Sequence, residues 1–371
     1  MSWSSTTASA RLQPDDDPLL RAHELIGAGR AGDAVVLLDS VHAAGRGGLL
    51  LQAARVEARI AAGDNDGALA IAREAARLYP GVAMIAVALG EALRAAGHLA
   101  TAIGEFQRAL RLDPDSTSAR YALGSLWLEA GEAEKAAEAF ASLRHEEEPR
   151  ELAEKLAEID RMRTRPRADP RYVRHLFDQF SVDYDVRMLG QLGYGAPQIL
   201  RSLAALIGIA GENAILDLGC GTGLSGAAFS DLARRLDGID LSPAMIAKAR
   251  ARGIYDDLWV GDLETASGDR ERRYDLLVAA DTLVYLGDLA NVFAVSARTL
   301  RARGNFLFTV ERKEGEGYEL GPKRRWRHSE SYLRELATAH GFEIAGFLEC
   351  VPRTEAGMPV DGYAVAFERM S

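Results

Sequence analysis

The chain has 371 residues, of which 48% are hydrophobic and 26% charged, and a formal net charge of −10 at pH 7. This length predicts two domains, and the acidic balance disfavours a general nucleic-acid binder. Two cysteines, Cys220 and Cys350, are too few for a disulfide framework or a cysteine-rich zinc site, and no metal site is predicted. No run approaches the ~18 apolar residues of a membrane span, so we expect a cytoplasmic protein without a membrane partner. Residues 1–16 are expected to form a disordered leader.

A period of 34 residues runs through the first half of the chain. The repeated positions are Gly29, Gly63, Gly97 and Gly131, each followed five residues later by Ala34, Ala68, Ala102 and Ala136. Such a period predicts an all-α array in which each unit is two amphipathic helices joined by a turn at the glycine. Neither helix buries its apolar face alone, so stacked neighbours supply the core.

This pattern resembles the tetratricopeptide repeat, in four units over residues 12–147. The last two units, Pro80–Asp113 and Pro114–Glu147, match best, whereas Arg55 and Val56 stand where later units carry Leu-Gly. The resemblance implies a helical repeat domain over residues 17–148 with a concave groove for a peptide or protein partner. The alternative is that the array packs on the second domain or dimerises.

Residues 149–170 are predicted to be a helical linker between the domains. The stretch Arg150–Arg163 is charged, with Leu152, Leu156 and Ile159 on one stripe. The basic run that follows, residues 163–167, is interpreted as solvated linker rather than as a phosphate contact.

From residue 171 to residue 371 the signals alternate between strand and helix, which predicts a doubly wound α/β sheet. The predicted strands are Ala214–Leu218, Arg235–Ile239, Leu258–Val260, Tyr274–Ala279, Gly304–Val310, Phe342–Cys350 and Tyr363–Arg369. The predicted helices between them are Gly223–Ala233, Pro243–Arg250, Leu289–Leu300 and Ser329–His340. No helix separates the last two strands, so they must pair antiparallel.

The most informative stretch is Ile215–Leu224, an apolar strand ending in Asp217 and followed by three alternating glycines. Glycines at a strand-to-helix turn let a ligand lie against the backbone. The glycines alone also satisfy a dinucleotide pattern, so a nicotinamide cofactor remains an alternative at this point. Asp240, at the end of the second strand, suits a ribose diol with either ligand. Asp217, Asp262 after the third strand and the terminal hairpin favour a different adenosyl cofactor.

Residues 171–371 resemble the class I S-adenosylmethionine-dependent methyltransferases, with a Rossmann-like seven-stranded sheet. The matching motifs are ILDLGCGTG at 215–223, GIDLSxxM at 238–245, GDL at 261–263 and YDLLVAAD at 274–281. The resemblance implies S-adenosylmethionine as cofactor. Its implied contacts are Asp217, Gly219, Cys220, Gly221 and Gly223 with the methionine moiety, Asp240 with the ribose, Leu241, Met245 and Leu263 with the adenine faces, Asp262 with the adenine amino group, and Ala280 and Asp281 closing the pocket.

A narrower resemblance is carried by the lead-in FDQFSVDYD at 177–185 and by the stretch RWRHS at 325–329. Both are similar to a bacterial group of tetratricopeptide-repeat methyltransferases and to the methyltransferase-like protein of the Williams–Beuren region. Combined with the repeats, this resemblance covers nearly the whole chain, but it implies no substrate.

Two residues are candidates for direct roles with the acceptor. Phe177, Phe180 and Tyr184 have the spacing of one helical face, which either covers the ligand or packs on the sheet, and Tyr184 is the expected ligand contact. His328, at a helix start beyond the fifth strand, is the candidate base, with a surface or capping histidine as the alternative. The predicted function is methyl transfer to a small-molecule or protein acceptor docked by the repeats. The alternative is a non-catalytic adaptor with a cofactor-sensing domain.

Overall fold

The computed structural model describes residues 17–143, 150–180, 184–186, 188, 190, 193–265, 272–321, 324–355 and 357–370, without the side chains of residues 150, 179 and 180. The predicted leader and the predicted end of the repeat array at residues 144–148 lie outside this part of the chain. The described residues fall into two compact units, and the division between them lies between Arg163 and Thr164.

The first unit consists of helix pairs followed by one further helix. The helices are α1 (Pro18–Gly27), α2 (Ala31–Ala43), α3 (Leu49–Ala61), α4 (Asn65–Leu78), α5 (Ala83–Ala95), α6 (Leu99–Leu112), α7 (Thr117–Glu129), α8 (Ala133–Ala141) and α9 (Arg150–Thr164). The four periodic glycines lie in the turns inside the pairs, with φ between +74° and +80°. Left-handed backbone of this kind favours glycine, which explains the strict period at these positions.

Two further positions of the period bring paired helices together. A Cβ atom on Gly90 of α5 would lie 2.5 Å from the ring of Phe106 on α6, and one on Gly124 of α7 would lie equally close to Phe140 on α8. The periodic alanines, such as Ala102, are fully buried in the same contacts. Large rings thus fill the space that the small residues leave.

Helix α9 continues the packing of the first unit. Leu152 and Ile159 are buried in a cluster with Phe140 of α8, and Leu156 packs against it. The predicted stripe of this linker helix is therefore the face that it buries.

The second unit is a mixed sheet flanked by helices, so the predicted fold class is confirmed. Its strands are β1 (Asn213–Leu218), β2 (Ala233–Asp240), β3 (Asp257–Val260), β4 (Tyr274–Ala279), β5 (Leu300–Arg312), β6 (Tyr318–Leu320), β7 (Trp326–His328), β8 (Phe342–Glu355) and β9 (Met358–Arg369). The order β3-β2-β1-β4-β5 is parallel, and β9 pairs antiparallel with both β5 and β8. The short strands β6 and β7 were not among the predicted seven.

Helices cover both faces of this sheet. They are α10 (Pro170–Phe180), α11 (Tyr184–Val186), α12 (Ala196–Leu206), α13 (Leu224–Phe229), α14 (Pro243–Ala251), α15 (Ala290–Thr299) and α16 (Glu330–Ala339). Neighbouring residues of β1 enter different cores, since Leu216 packs in a cluster with Phe293 of α15 and Ile215 in a cluster with Leu200 of α12. A strand buried on both faces reads as a continuous apolar run, which is how β1 appears in the sequence.

Strand β1 lies between β2 and β4 in the sheet. The strands that follow it in the chain are therefore added first on one side of β1, as β2 and β3, and then on the other side, as β4 and β5. Ligands of open α/β sheets bind in the crevice at this point, outside the carboxyl ends of the strands. Among the helices of the described residues, none is long and apolar enough to cross a membrane.

Candidate functional site

A cavity opens at the carboxyl ends of β1, β2 and β4. The predicted residues that line it are Tyr184, Gly219, Cys220, Gly221, Asp240, Leu241, Asp262, Leu263, Ala280 and Asp281. Four of the predicted site residues, Asp217, Gly223, Met245 and His328, are not among the described residues that line it. The sequence motifs thus converge on one cavity, although not every residue in them faces it.

The glycine loop after β1 supplies one wall of the cavity. The backbone N–H groups of Gly219 and Cys220 both donate to the carbonyl oxygen of Ile239, at 2.8 Å and 3.0 Å, which ties the loop to β2. Gly219 has no room for a side chain, because a Cβ there would lie 2.4 Å from Thr282. At Gly221, with φ +54°, a Cβ would meet no protein atom within 4 Å. The open side of the loop is therefore at Gly221, against the cavity.

Asp240, at the end of β2, fixes this loop with its carboxylate. One oxygen accepts from the N–H of Gly221 at 2.9 Å and the other from the N–H of Ser242 at 2.8 Å. Burial raises the pKa of Asp240 to about 6. Each carboxylate oxygen can accept more than one hydrogen bond, so Asp240 retains capacity for a ligand hydroxyl.

Asp217 lies beneath the loop, away from the cavity wall, and is 1% exposed. Its Oδ2 accepts a hydrogen bond from the hydroxyl of Tyr255 at 2.7 Å, whereas Oδ1 has no hydrogen-bond partner among the described residues. Burial raises the pKa of this carboxyl to about 7. The structure thus makes Asp217 a support of the loop, and its predicted contact with the methionine moiety remains a prediction.

Tyr255 is a site residue that sequence reasoning missed. Its hydroxyl would lie 2.2 Å from a Cβ on Gly226, and its ring 3.0 Å from a Cβ on Gly238. These two glycines leave the space that the tyrosine fills. A partial signal was present in the sequence, since Gly238 belongs to one of the motifs, but the residue that uses the space follows α14 and is distant in the chain.

The predicted adenine end of the cavity contains Leu241 and Leu263, both in its lining, whereas Met245 is fully buried on α14. Asp262 is engaged on both oxygens: Oδ1 accepts from the N–H of Glu264 at 3.0 Å and Oδ2 from the guanidinium of Arg167 at 2.8 Å. Arg167 also pairs with Glu264 and lines the cavity. The prediction that residues 163–167 form a solvated linker is therefore wrong for Arg167.

The segment that carries Arg167 is fixed by backbone hydrogen bonds to the loop after β4. The N–H of Ala168 donates to the carbonyl oxygen of Tyr285 at 2.8 Å, and the carbonyl oxygen of Pro166 accepts from the N–H of Gly287 at 2.8 Å. A segment predicted as linker is thus part of the wall.

Asp281 closes the cavity beyond β4. Its backbone is left-handed, with φ +58°, and its N–H donates to the hydroxyl of Thr309 at 2.8 Å. Its carboxylate pairs with Arg353, which is 1% exposed and also pairs with Glu311 and Glu355. A strained non-glycine residue held by such a network is typical of a functional site.

Aromatic side chains form the remaining wall. Phe177 makes edge-to-face contacts with Tyr184, at a centroid distance of 6.1 Å, and with Tyr285, at 5.5 Å. All three rings line the cavity. Tyr184 begins a separate short helix, α11, so the predicted single helical face is divided, and the side chain of Phe180 lies outside the described part of the chain.

The lead-in segment is also attached to the glycine loop through carboxylates. Asp185 accepts hydrogen bonds from the hydroxyl of Thr222 and from Arg252, and Asp178 accepts one from the hydroxyl of Ser242. These contacts hold Phe177 and Tyr184 over the cavity.

His328 is not placed to act as a base. The residue is fully buried, and its Nε2 lies 3.0 Å from the carbonyl oxygen of Gly287, to which it donates a hydrogen bond. Burial lowers the pKa of the imidazole to about 4, and the ring stacks on Tyr332. The predicted catalytic role is therefore wrong, because pairing of β7 with β5 places the ring in the interior rather than at the cavity; the surface alternative is wrong for the same reason.

Comparisons with known proteins agree with this architecture. A family model described as a methyltransferase domain matches residues 215–304, which contain the glycine loop, Asp240, Asp262 and Asp281. A tetratricopeptide-repeat model matches residues 51–117 and 87–149. The chain therefore contains both kinds of domain, as predicted.

Curated relatives match the α/β unit over part of their length. The 18S rRNA (guanine-N(7))-methyltransferase of Bos taurus is 31% identical over 96 residues, which are 26% of this chain and 34% of that protein. A probable S-adenosylmethionine-dependent methyltransferase of Mycolicibacterium smegmatis is 30% identical over 135 residues, 35% of this chain and 52% of the relative. The chain thus spans about a third to a half of the length of these relatives.

Among solved structures, the chain is similar to Burkholderia thailandensis 1,6-didemethyltoxoflavin-N1-methyltransferase, whose crystal structure has 1,6-didemethyltoxoflavin and S-adenosylhomocysteine bound. The identity is 20% and the TM-score 0.44, over 56% of this chain and 92% of the other.

Proposed function

We propose that this chain, which contains a methyltransferase domain and tetratricopeptide repeats, transfers a methyl group from S-adenosylmethionine to a small-molecule or protein acceptor. The observation that carries the proposal is the junction of Gly221 and Asp240. An open glycine faces the cavity there, beside a buried carboxylate that holds the loop through the N–H of the same glycine.

The residues present fit this cofactor. The missing Cβ at Gly221 leaves space for the methionine moiety along the loop, and Asp240 is positioned for the ribose hydroxyls. Leu241 and Leu263 offer apolar surfaces for the adenine, and the buried carboxyl of Asp217, whose Oδ1 has no hydrogen-bond partner among the described residues, lies beneath the loop. The relatives that match this unit include one protein whose name states the same cofactor.

When bound, S-adenosylmethionine supplies an electrophilic methyl group on a sulfonium. The protein's own contribution is position and desolvation: the glycine loop and Asp240 orient one reactant, and Phe177, Tyr184 and Tyr285 exclude water around the other. Alignment of two reactants can supply about 7–11 kcal/mol of a barrier. No histidine base is required in this scheme.

We assign the repeats the role of docking a protein partner or substrate. Their support is the tetratricopeptide-repeat match and a groove on the array lined by residues such as Leu110, Leu123 and Trp127. The two free cysteines suit a reducing compartment, so a cytoplasmic location is part of the proposal.

Transfer of radiolabelled methyl groups into a fractionated lysate tests the proposal. The full chain should label an acceptor fraction, and Asp240→Ala should abolish the labelling, because the loop and the ribose site lose their shared carboxylate. Asp231→Ala is the matched control, since that exposed carboxylate pairs, within the described part of the chain, only with Arg201.

The same assay separates the enzyme from the adaptor. Binding of S-adenosylhomocysteine without labelling of any fraction would favour a non-catalytic adaptor that senses the cofactor.

A further inference from the structure

One end of the cavity is built from aromatic rings and a carboxylate that the cofactor does not need. Phe177, Tyr184 and Tyr285 contact one another there, and Asp281 lines the same space. Among the described residues that line the cavity, the one cation is Arg167, and its guanidinium is already paired with Asp262 and Glu264. A negatively charged acceptor would therefore find no free cation in this cavity.

One carboxylate oxygen of Asp281 accepts no hydrogen bond from the described residues. Its Oδ1 pairs with Arg353, whereas its Oδ2 lies 3.8 Å from the guanidinium of Arg325, beyond hydrogen-bonding distance. No other hydrogen bond to Oδ2 is formed by the described residues. The left-handed backbone, held by the hydroxyl of Thr309, fixes this carboxylate in place before any acceptor arrives.

We propose that the methyl acceptor is an amine, whose nitrogen lies among these rings and donates a hydrogen bond to Oδ2 of Asp281. The inference rests on the proposed function and adds to it the class of acceptor. An ionised carboxylate only accepts hydrogen bonds, so it selects a donor group. The faces of phenylalanine and tyrosine rings attract a cationic nitrogen and offer nothing comparable to an anion.

The other acceptor classes fit less well. A carboxylate acceptor would stand against Asp281 with like charge, and the two guanidinium groups near that carboxylate, those of Arg353 and Arg325, are already shared with Glu311 and Glu355. A hydroxyl acceptor would require a base, and a carboxylate paired with Arg353 is a poor base for a group with a pKa near ~10 or above.

The chemistry balances for an amine. An acceptor that arrives as an ammonium ion first loses one proton to water. The lone pair of the neutral nitrogen then forms the new bond to the methyl carbon, while the carbon–sulfur bond breaks with its electron pair passing to the sulfur of the cofactor. The methylated nitrogen then carries a positive charge and releases one proton to water after it leaves the site. Arg353 acts as a positioning residue, since it holds Asp281 and does not touch the acceptor.

Two small probes of similar shape and opposite charge test the inference without an identified acceptor. The full chain is saturated with S-adenosylhomocysteine and then titrated with benzylamine or benzoate, with binding followed by ligand-observed NMR. Benzylamine should bind about tenfold or more tightly than benzoate, and Asp281→Asn should weaken benzylamine by about tenfold or more when both proteins are saturated with S-adenosylhomocysteine.

Glu355→Gln is the matched control. Glu355 pairs with Arg353 at 3.0 Å and with Arg325 at 3.2 Å, in the same network as Asp281, but it is not among the described residues that line the cavity. This variant should leave benzylamine binding within about threefold of wild type, since it removes a network charge and no direct contact.

Several results would overturn the inference. They are equal or tighter binding of benzoate, equal weakening by Asp281→Asn and Glu355→Gln, or binding of S-adenosylhomocysteine with neither probe; the last leaves the proposed function standing. Failure to bind S-adenosylhomocysteine would instead reject both. If Asp281→Asn does not fold, the preference of the wild-type chain between the two probes decides.

Discussion

Glycines have different partners in the two units of this protein. In the repeat unit, Gly90 and Gly124 each face a phenylalanine ring, and an added Cβ would lie 2.5 Å from it. In the α/β unit, Gly221 lines a cavity, and a Cβ there would meet no protein atom within 4 Å. The first kind of glycine is explained by the protein's own packing. The second leaves space against the cavity, which is what a binding loop requires.

The carboxylates differ in the same way. Asp39 of the repeat unit is paired with Arg55 and Arg59, and these partners lower its pKa in spite of partial burial. Asp217 and Asp240 of the α/β unit lack basic partners among the described residues, and burial raises the pKa of both. Burial of a carboxylate without a basic partner lowers the stability of the fold, so it points to a role other than folding.

The largest effect should come from Asp217. Its raised pKa of about 7 means that the folded protein retains a proton that the unfolded chain releases, so this residue stabilises the fold at low pH and the stabilisation is lost as pH rises from about 4 to about 7. Asp217→Asn should remove this pH dependence, which amounts to about 2–3 kcal/mol between pH 5 and pH 7.5. Urea unfolding of both proteins at pH 5 and pH 7.5 measures it, and parallel pH profiles would show that the burial is compensated.

A smaller effect is expected in the repeats. Gly90→Ala should destabilise the repeat unit by about 1–3 kcal/mol, because the new methyl group overlaps the ring of Phe106. Gly104→Ala is the control on the partner helix α6: no atom lies within 4 Å of its Cβ position, so it should stabilise the unit by up to about 1 kcal/mol. Thermal unfolding measures both. Equal effects would mean that the contact with Phe106 is not what requires glycine.

The smallest effect on stability is expected at Gly221. Gly221→Ala should lower the free energy of unfolding by about 1–2 kcal/mol, the cost of placing an alanine in left-handed backbone. No further cost is expected, since its Cβ overlaps no protein atom. The same methyl group should occupy ligand space and weaken S-adenosylhomocysteine by about tenfold or more. Calorimetric titration and thermal unfolding of one sample separate the two, and a loss of stability without a loss of affinity would remove Gly221 from the proposed site.

Periodic and local features of this protein were predictable from the sequence. The helix pairs follow from a 34-residue period that fixes both the turn glycines and the buried alanines. The parallel sheet follows from alternating apolar segments, and the cavity from motifs that end successive strands. In each case the information is either a regular repeat or a short motif of a few neighbouring residues.

Long-range pairings were not predictable in this way. Tyr255 reaches Asp217 across 38 residues, and Arg167 reaches Asp262 across 95. His328 was assigned to the site because it follows a strand, yet pairing of β7 with β5 buries it. Met245 was assigned from its place in a motif, although its helix directs it into the interior. Strands β6 and β7 have three residues each, too few for a pattern to register.

Calorimetric titration of the full chain with S-adenosylhomocysteine, and separately with NADH, tests the central claim most directly. We predict binding of S-adenosylhomocysteine and none of NADH, with the affinity lowered by about 100-fold in Asp240→Ala as two charge-assisted hydrogen bonds to the ribose are lost. The proposal would be contradicted if NADH binds and S-adenosylhomocysteine does not, or if Asp240→Ala binds S-adenosylhomocysteine as tightly as the wild-type chain.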